Sequence, residues 1–277
     1  MMATLTDTNT PSGAGASRRT PTLGSWLLTK ERLLLGVLGV LLLLAAWQVC
    51  ASLKWIDPFF TSSPKDVVSE AKTYLTSPQA RTDLRTSGKE FVMGFAGALV
   101  IGIPTGIVLG WFRRIDALID PLLTFFYASP RIALMPLMIV WFGIGLQSKA
   151  VIVGLMAVFP VIINMAAGVR TVDRQLINVG KGFQASSLQM LATIALPASL
   201  PSLAAGIRLG IGQALIGVFV AELTGATAGV GFTMNQAASN FQISLVFVTL
   251  FIIAGFGVVL TLILRRIEKV LTKWQIQ

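Results

Sequence analysis

The 277-residue sequence contains no histidine and only one cysteine, and 12% of its residues are charged. Without histidine, imidazole acid–base catalysis and histidine-ligated metal sites are excluded. The lone Cys50 permits neither an internal disulfide nor a thiolate-rich zinc site. Acids are also scarce inside the apolar segments, so an intramembrane enzyme is the least favoured class.

Apolar residues dominate what is present. They make up 54% of the chain, and the mean hydropathy is +0.77, which is typical of a protein that crosses a membrane several times. The formal net charge is +10, but the cations lie mostly in loops beside apolar segments and no basic run alternates with aromatic residues. The sequence therefore predicts a lipid bilayer, and not a nucleic acid, as the chain's surroundings.

The expected fold class is an all-α membrane protein with six transmembrane helices. Residues 1–28 have too few large apolar side chains to fold alone and are predicted to form a disordered cytoplasmic tail, followed by one transmembrane domain over residues 29–277. The tail has no short apolar core of the kind found in cleaved signal peptides. The predicted spans are residues 33–52, 91–112, 121–143, 149–168, 199–223 and 244–264.

The polar segment between the first two spans contains a helix-start signal. Ser63 is placed as an N-cap, Pro64 as the first helical residue and Asp66 as an acid in the first turn. This predicts a short amphipathic helix, which either lies on the membrane or packs on its own protein. Its apolar face consists of Val67, Val68, Ala71, Tyr74 and Leu75.

Small residues recur every fourth position along the second span. Such a stripe allows a neighbouring helix to approach closely, so we expect helix packing here and no chemistry. The stripe consists of Gly94, Ala98, Gly102, Gly106 and Gly110.

The third span is predicted to begin at Asp120-Pro121 and to be interrupted by Pro130 and Pro136. Internal prolines remove backbone donors and leave carbonyl groups without helical partners inside the membrane. Arg131 lies between the two interruptions, where a broken helix could line a cavity. Met135, Met138 and Trp141 follow on the same span and are typical of packing positions.

Ionisable residues within apolar spans are candidates for function. Arg131 is predicted to supply positive potential for an anion, and Glu222 to pair with it or to close an outer gate. Met135 joins them as a translocation-path candidate. The alternative to a role in transport is that these residues pair with other groups inside the bundle for structural reasons. Arg208, a third ionisable residue in an apolar span, could also pair in this way or extend its side chain to the membrane interface.

The distribution of Lys and Arg predicts cytoplasmic N- and C-termini. With this orientation, thirteen of the 22 cations lie in cytoplasmic segments and seven lie outside, as the positive-inside rule favours. Arg85 and Lys89, beside the second span, count against this orientation. The polar stretch 170–197 between spans four and five then faces the cytoplasm.

The stretch 170–197, called the knuckle below, has the pattern of two short helices. Val172, Leu176, Val179 and Phe183 recur at helical spacing, and Ser186 with Gln189 has the spacing of a capping box. This predicts a helix–turn–helix that either inserts into a groove on a soluble partner or folds back on the bundle.

At the knuckle the sequence resembles the integral-membrane subunits of bacterial ABC importers. Their signature is Glu-Ala-Ala, a Gly four residues later, then Ile-x-Leu-Pro starting ten residues after the Gly. Ile194, Leu196 and Pro197 match, and Ala185-Ser186 follow the glycine position. The chain departs from the signature at Gln184, which replaces the Gly, and at Asn178, Val179 and Gly180, which occupy the Glu-Ala-Ala positions.

Other segments resemble the nitrate/sulfonate/taurine-type branch of this family. The resemblance implies a helical bundle that pairs with a second permease copy, two cytosolic ATPases docked on the knuckles, and an external solute-binding protein. ATP and Mg²⁺ would then belong to the ATPase. The segments are Trp55–Phe60 with Ser63-Pro64, Pro130-x-x-Ala133-x-x-Pro136, Trp141–Gly145 with Lys149, and Glu222 before Gly225 and Gly229-x-Gly231.

The sequence contains no phosphate-binding loop: Gly88-Lys89 and Gly180-Lys181 lack the preceding glycine and the following hydroxyl residue. We therefore expect a permease subunit of the bacterial inner membrane that binds no cofactor itself and imports a small polar or anionic solute by alternating access. The rivals are a stand-alone secondary transporter, for which one candidate acid and no evident inverted repeat are poor support, and a non-transporting membrane scaffold.

Overall fold

The computed structural model describes residues 23–53 and 60–271, and within them all regular secondary structure is helical. Two non-α turns interrupt the series: a 3₁₀ turn over Arg131–Leu134 and a π-helical turn over Leu191–Ala195. The α-helices are α1 (Leu23–Ser52), α2 (Pro64–Thr76), α3 (Pro78–Trp111), α4 (Arg113–Ala128), α5 (Met135–Phe142), α6 (Leu146–Arg170), α7 (Arg174–Gly182), α8 (Ser187–Met190), α9 (Leu196–Leu223), α10 (Val230–Ser239) and α11 (Ile243–Leu271).

Five stretches of helix among the described residues are long and apolar enough to cross a membrane, and a bent pair of helices could supply a sixth crossing. This agrees with the predicted all-helical class, and the predicted count of six is reached only if the bent pair forms one span. α1 already begins at Leu23, so residues 23–28 are helical although they were assigned to the tail. The rest of the predicted tail, residues 1–22, and most of the Trp55–Phe60 segment lie outside the described residues.

α6 is the central helix, packed between α3 and α9. The small residues of α3 make the α3–α6 contact possible: a Cβ atom added at Gly94 would lie 2.5 Å from the Cβ of Val153, and one at Gly106 would lie 2.6 Å from that of Met165. Gly102 and Gly110 meet Val161 and Val169 in the same way. The stripe therefore sets the closest approach in the bundle.

The third predicted span differs from its prediction. α4 begins at Arg113, so Pro121 lies inside a helix and does not start one. Pro130 ends the helical segment, and the two halves, Arg113–Ala128 and Arg131–Phe142, meet at 85°. The break was predicted from the two prolines; Pro136 falls in the first turn of α5, where its missing N–H costs nothing.

α2 forms as predicted. The Ser63 side chain caps it by accepting from the backbone N–H of Asp66. Val67 and Tyr74 are buried in a cluster with Val248 of α11, whereas Val68 and Leu75 are about half exposed. The helix is thus packed on its own protein along one edge and keeps apolar side chains free along the other.

The fifth span was predicted to begin at residue 199, after Pro197, but the helix continues through Pro197 from Ser187 to Leu223. The π turn makes this possible, because Leu196 N–H reaches back five residues to Leu191 C=O just before the proline. α10 was not predicted. It lies within the stretch expected to be a loop and packs on α9 and α11.

Candidate functional site

The knuckle is built from α7, a tight turn and α8. Asp173 caps α7 by accepting from the backbone N–H of Gln175. Ser186 and Gln189 form the predicted capping box: Ser186 Oγ accepts from Gln189 N–H at 3.3 Å, and Gln189 Oε1 accepts from Ser186 N–H at 2.8 Å. The two short helices therefore have defined ends that the sequence specifies locally.

The turn between the two helices carries a strained residue. Gln184 has a φ of 56°, in the left-handed region, and the surrounding hydrogen bonds run from Ala185 N–H to Gly180 C=O and from Gln184 N–H to Lys181 C=O. This is the Schellman pattern that ends many helices, normally with glycine in the left-handed position. A non-glycine residue there costs about 1–2 kcal/mol, which is the strain that the missing signature glycine implies.

The knuckle exposes several large apolar side chains. Phe183 is 83% exposed and Leu188 74%, and Leu176 and Val179 are about half exposed. Gly180 faces inward against Met190 and Ile194, so α7 packs on the second helix through its glycine and turns its larger apolar side chains outward. Of the other predicted coupling residues, Asn178 and Ser186 are exposed. Those that are partly buried are Ala185, Leu196 and Pro197.

The base of the knuckle is attached to three membrane helices. Trp111, the last residue of α3, donates its indole N–H to Ser187 Oγ at 3.0 Å. Arg170 at the end of α6 forms an ion pair with Asp116 of α4. Met165 and Val169 of α6 pack with Ala195 in one buried cluster. A displacement of the knuckle would therefore pull on α3, α4 and α6 together.

Arg131 lies where the third span breaks. Its guanidinium lies 5.3 Å from the Tyr127 ring and 5.4 Å from the Phe159 ring, and Nη1 donates to the backbone carbonyl of Met156 at 3.3 Å. That carbonyl would accept from residue 160 in a regular helix, but Pro160 has no N–H. Arg131 thus replaces the missing helical donor and attaches the broken span to α6.

We expect Arg131→Met to destabilise the chain by about 1–3 kcal/mol, because it leaves the Met156 carbonyl without a donor and removes the cation–ring contacts. In a Pro160→Ala background the Arg131→Met change should lower the free energy of unfolding by about 1 kcal/mol less, since the alanine N–H can donate to the Met156 carbonyl. Denaturant titration of the native chain, the two single variants and the double variant in detergent measures both quantities. Equal costs in the two backgrounds would contradict the carbonyl-replacement role.

The predicted pairing of Arg131 with Glu222 is wrong. Glu222 is 1% exposed and its carboxyl accepts from Ser87 Oγ at 2.5 Å and from Gly231 N–H at 2.6 Å. Glu222 is held at the far end of α9, near the start of α10, whereas Arg131 contacts the middle of α6. Met135 is buried in a cluster with Met156, as expected of a packing residue.

The Gly229-Val-Gly231 segment is shaped around the Glu222 carboxyl. A Cβ atom at Gly229 would lie 2.3 Å from Glu222 Cδ, and one at Gly231 would lie 2.9 Å from Oε2. Val230 N–H donates to Ser87 Oγ, so the free N–H groups at the start of α10 point at side chains of α3 and α9. These two glycines and Glu222 belong to one of the segments that resemble the nitrate/sulfonate/taurine-type branch. The structure supplies the physical reason why they occur together, since the glycines leave room for the carboxyl group.

Asp83 lies in the same group of buried or partly buried polar side chains as Glu222 and Ser87, which we call the buried polar cluster. Sequence reasoning missed Asp83 because it assigned the residue to an exposed loop. The residue is 0% exposed. Its carboxylate accepts from Tyr74 Oη at 2.7 Å, Gln79 Nε2 at 2.9 Å, Gly229 N–H at 3.0 Å and Thr233 Oγ1 at 2.6 Å. Burial, followed by the hydrogen bond to the Asp83 carboxylate, raises the pKa of the Tyr74 phenol. Asp83 therefore connects α2, α3 and α10.

Two further ion pairs link helices. Lys149, expected at the outer boundary of its span, is 5% exposed, and its Nζ lies 2.8 Å from Glu90 Oε1. Arg208 pairs with Glu268 of α11 at 2.7 Å, which is the structural alternative considered for this arginine. The knuckle and the buried polar cluster thus occupy opposite ends of the bundle.

Comparison with known proteins agrees with this architecture. Residues 102–273 match the family model described as binding-protein-dependent transport system inner membrane component. The chain is 32% identical over 256 residues to the taurine transport system permease protein TauC of Escherichia coli, covering 90% of this chain and 92% of the relative. It is 33% identical over 240 residues to the putative aliphatic sulfonates transport permease protein SsuC of Bacillus subtilis, covering 87% of each.

The fold is also similar to a chain in inward-facing structures of the MetNI methionine ABC transporter. The TM-score is 0.59 at 21% identity, and the match covers 70% of this chain and 95% of that chain. At this identity the likeness speaks for the fold alone. The sequence matches show that this chain belongs to the family of binding-protein-dependent transport system inner membrane components, the membrane-embedded permease subunits of ABC importers.

Proposed function

We propose that this chain forms the translocation path for a small sulfonate-like anion, such as taurine or an aliphatic sulfonate, and that a separate ATPase docks on its knuckle. The observation that carries the docking is the set of exposed apolar side chains of Leu176, Val179, Phe183 and Leu188, on a segment that is hydrogen-bonded to the end of α3. The sulfonate class follows from relatives whose names specify taurine and aliphatic sulfonates. In this assembly ATP and Mg²⁺ bind the ATPase dimer, a second permease copy completes the path, and an external binding protein delivers the solute.

The continuous helix from Ser187 to Leu223 offers a physical route for coupling. It is 37 residues long, so force applied at α8 is transmitted along one rod of about 55 Å to Glu222 at its other end. Closure of the ATPase dimer would move the knuckle and tilt this rod against α6. The knuckle and both chain termini would face the cytoplasm, as the Lys and Arg distribution predicts.

Arg131 is the candidate for attracting the anion. Among the described residues none of the ion pairs involves Arg131, so its charge is not neutralised by a carboxylate. The aromatic faces of Tyr127 and Phe159 orient the guanidinium without quenching its positive potential. Met135 contributes apolar packing beside it, and Glu222, held by Ser87 and Gly231, acts in the outer gate and not as a solute contact.

The docking proposal predicts that Phe183→Arg and Ser186→Arg each abolish co-purification with the ATPase encoded beside this permease. A charge at the centre of a desolvated apolar contact should weaken the complex at least 100-fold. Gln184→Gly is the matched control, because it relieves the left-handed backbone at the same turn while leaving the apolar face intact, and it should retain the complex.

Retention of the complex by both arginine variants would refute the knuckle as the main contact. Failure of the native chain to bind any ATPase would instead favour a stand-alone transporter. Monodispersity in detergent separates these results from misfolding.

A further inference from the structure

The end of the bundle opposite the knuckle buries more negative than positive charge. Asp83, Glu90 and Glu222 are 0%, 1% and 1% exposed, and the buried cation among them, Lys149, is 5% exposed and pairs with Glu90. Unpaired charges are strongly disfavoured in such surroundings. The hydrogen bonds of each carboxyl group therefore indicate which of them can hold a charge.

Asp83 accepts hydrogen bonds from four donors, so both of its carboxylate oxygens have partners. Glu90 is different. Its Oε1 accepts from Lys149, whereas its Oε2 is buried without a donor among the described residues. A carboxylate oxygen enclosed in protein without a donor is costly, so the orphaned atom itself points to a missing hydrogen.

The neighbour of Glu90 is another carboxyl group. Glu90 lies one helical turn after Ser87 on α3, and the Ser87 hydroxyl donates to Glu222 Oε1 at 2.5 Å, so the buried side chains of Glu90 and Glu222 share the space between α3 and α9. Both oxygens of Glu222 already accept hydrogen bonds, one from Ser87 and one from Gly231. Two ionised carboxylates can only accept hydrogen bonds. They form a stable contact only when one proton lies between them, as in carboxyl pairs that cannot both ionise.

We propose that Glu90 and Glu222 bind one proton between them, forming a protonation site that joins α3, α9 and α10. With this proton the pair carries one negative charge, which Lys149 neutralises. A metal ion is a poorer occupant, because no three His, Cys, Asp or Glu side chains converge in the described part of the chain to hold one. The other ionisable groups around the site are Asp83 on α3, Lys149 on α6 and Tyr74 on α2.

Loss of the proton to water would place two negative charges side by side and weaken the hold of Glu222 on the start of α10. Glu222 and Ser87 also line a cavity of about 390 Å³ whose other walls are mainly apolar. The site thus borders open space at the end of the bundle that would face the outside, and its occupancy would set how firmly α10 is held there.

Infrared spectroscopy of the whole chain in lipid nanodiscs tests the proposal. The native protein at neutral pH should show the C=O stretch of a protonated carboxylic acid, shifted to lower frequency in D₂O. Glu222→Gln and Glu90→Gln should each remove this band, because glutamine supplies an N–H in place of the shared proton. Glu70→Gln, on the more exposed helix α2, is the control and should leave the band in place.

Absence of the band from the native protein would overturn the proposal without any variant. Persistence of the band in whichever glutamine variant folds would also overturn it, since the proton would then reside elsewhere. If neither variant folds, a pH titration of the native chain tests the proposal. The band should disappear as the pH is raised. A band that stays constant up to the onset of unfolding would refute a protonation site that borders open space.

Discussion

Replacing Gly229 with alanine is expected to destabilise the folded chain by about 3 kcal/mol or more. Two effects combine at this position. The backbone has a φ of 131° and ψ of 158°, a conformation that is almost restricted to glycine, and a new Cβ would lie 2.3 Å from Glu222 Cδ. The carboxyl group cannot move away without losing the hydrogen bonds from Ser87 and Gly231.

Thermal unfolding in detergent, followed by intrinsic fluorescence or by loss of monodispersity, measures this effect. Gly212→Ala is the matched control: Gly212 is helical, and a Cβ there would meet nothing within 4 Å. Alanine at that position should be neutral or stabilising by up to about 1 kcal/mol. A Gly229→Ala chain as stable as the control would show that Glu222 is not packed against the start of α10.

The long elements and the knuckle could be predicted because their signals are local. Apolar segments of membrane length give the spans, Ser63-Pro64 gives the start of α2, and the spacing of Ser186 and Gln189 gives the capping box. The left-handed strain at Gln184 could also be anticipated, because the family signature has a glycine there. Each of these depends on a few neighbouring residues and on backbone geometry alone.

The buried polar cluster could not be predicted, because it is assembled from residues far apart in sequence. From the sequence, Asp83 and Glu90 were assigned to a polar loop that also contains several cations. In the structure α3 begins at Pro78, and both residues lie on this helix with their side chains buried. At 34 residues, α3 is about 51 Å long, well beyond the roughly 30 Å of bilayer hydrocarbon. Hydropathy finds only the membrane part of such a helix, so the polar first turns were assigned to a loop.

The same limitation explains the wrong pairing of Arg131 with Glu222. Both lie in apolar spans, and opposite charges in a membrane favour each other. The chain instead satisfies Arg131 with a carbonyl that Pro160 leaves free and satisfies Glu222 with a hydroxyl and a backbone N–H. Sequence shows which groups need partners, but the partners here are two backbone atoms and a serine hydroxyl far away in sequence, and no residue pattern pairs them.

Lys149→Met is expected to destabilise the chain by about 3–5 kcal/mol, the usual cost of removing one partner of a buried ion pair. Methionine can fill the space of the lysine side chain, so most of the loss comes from charge: the one negative charge held by the Glu90–Glu222 pair would have no cation to offset it. Lys89→Met is the control, since Lys89 is exposed and adjacent to Glu90 in sequence. It should change stability by less than about 0.5 kcal/mol.

The double variant Glu90→Gln with Lys149→Met distinguishes charge from packing. If the loss in Lys149→Met comes from an uncompensated carboxylate, then a neutral residue at position 90 should restore at least half of the stability, and the two changes should be far from additive. Additive losses in a denaturant titration would mean that Lys149 acts through its contacts along α6. Because Glu90, Lys149 and Glu222 belong to three different helices, recovery in the double variant would also show that charge balance at this end holds α3, α6 and α9 together.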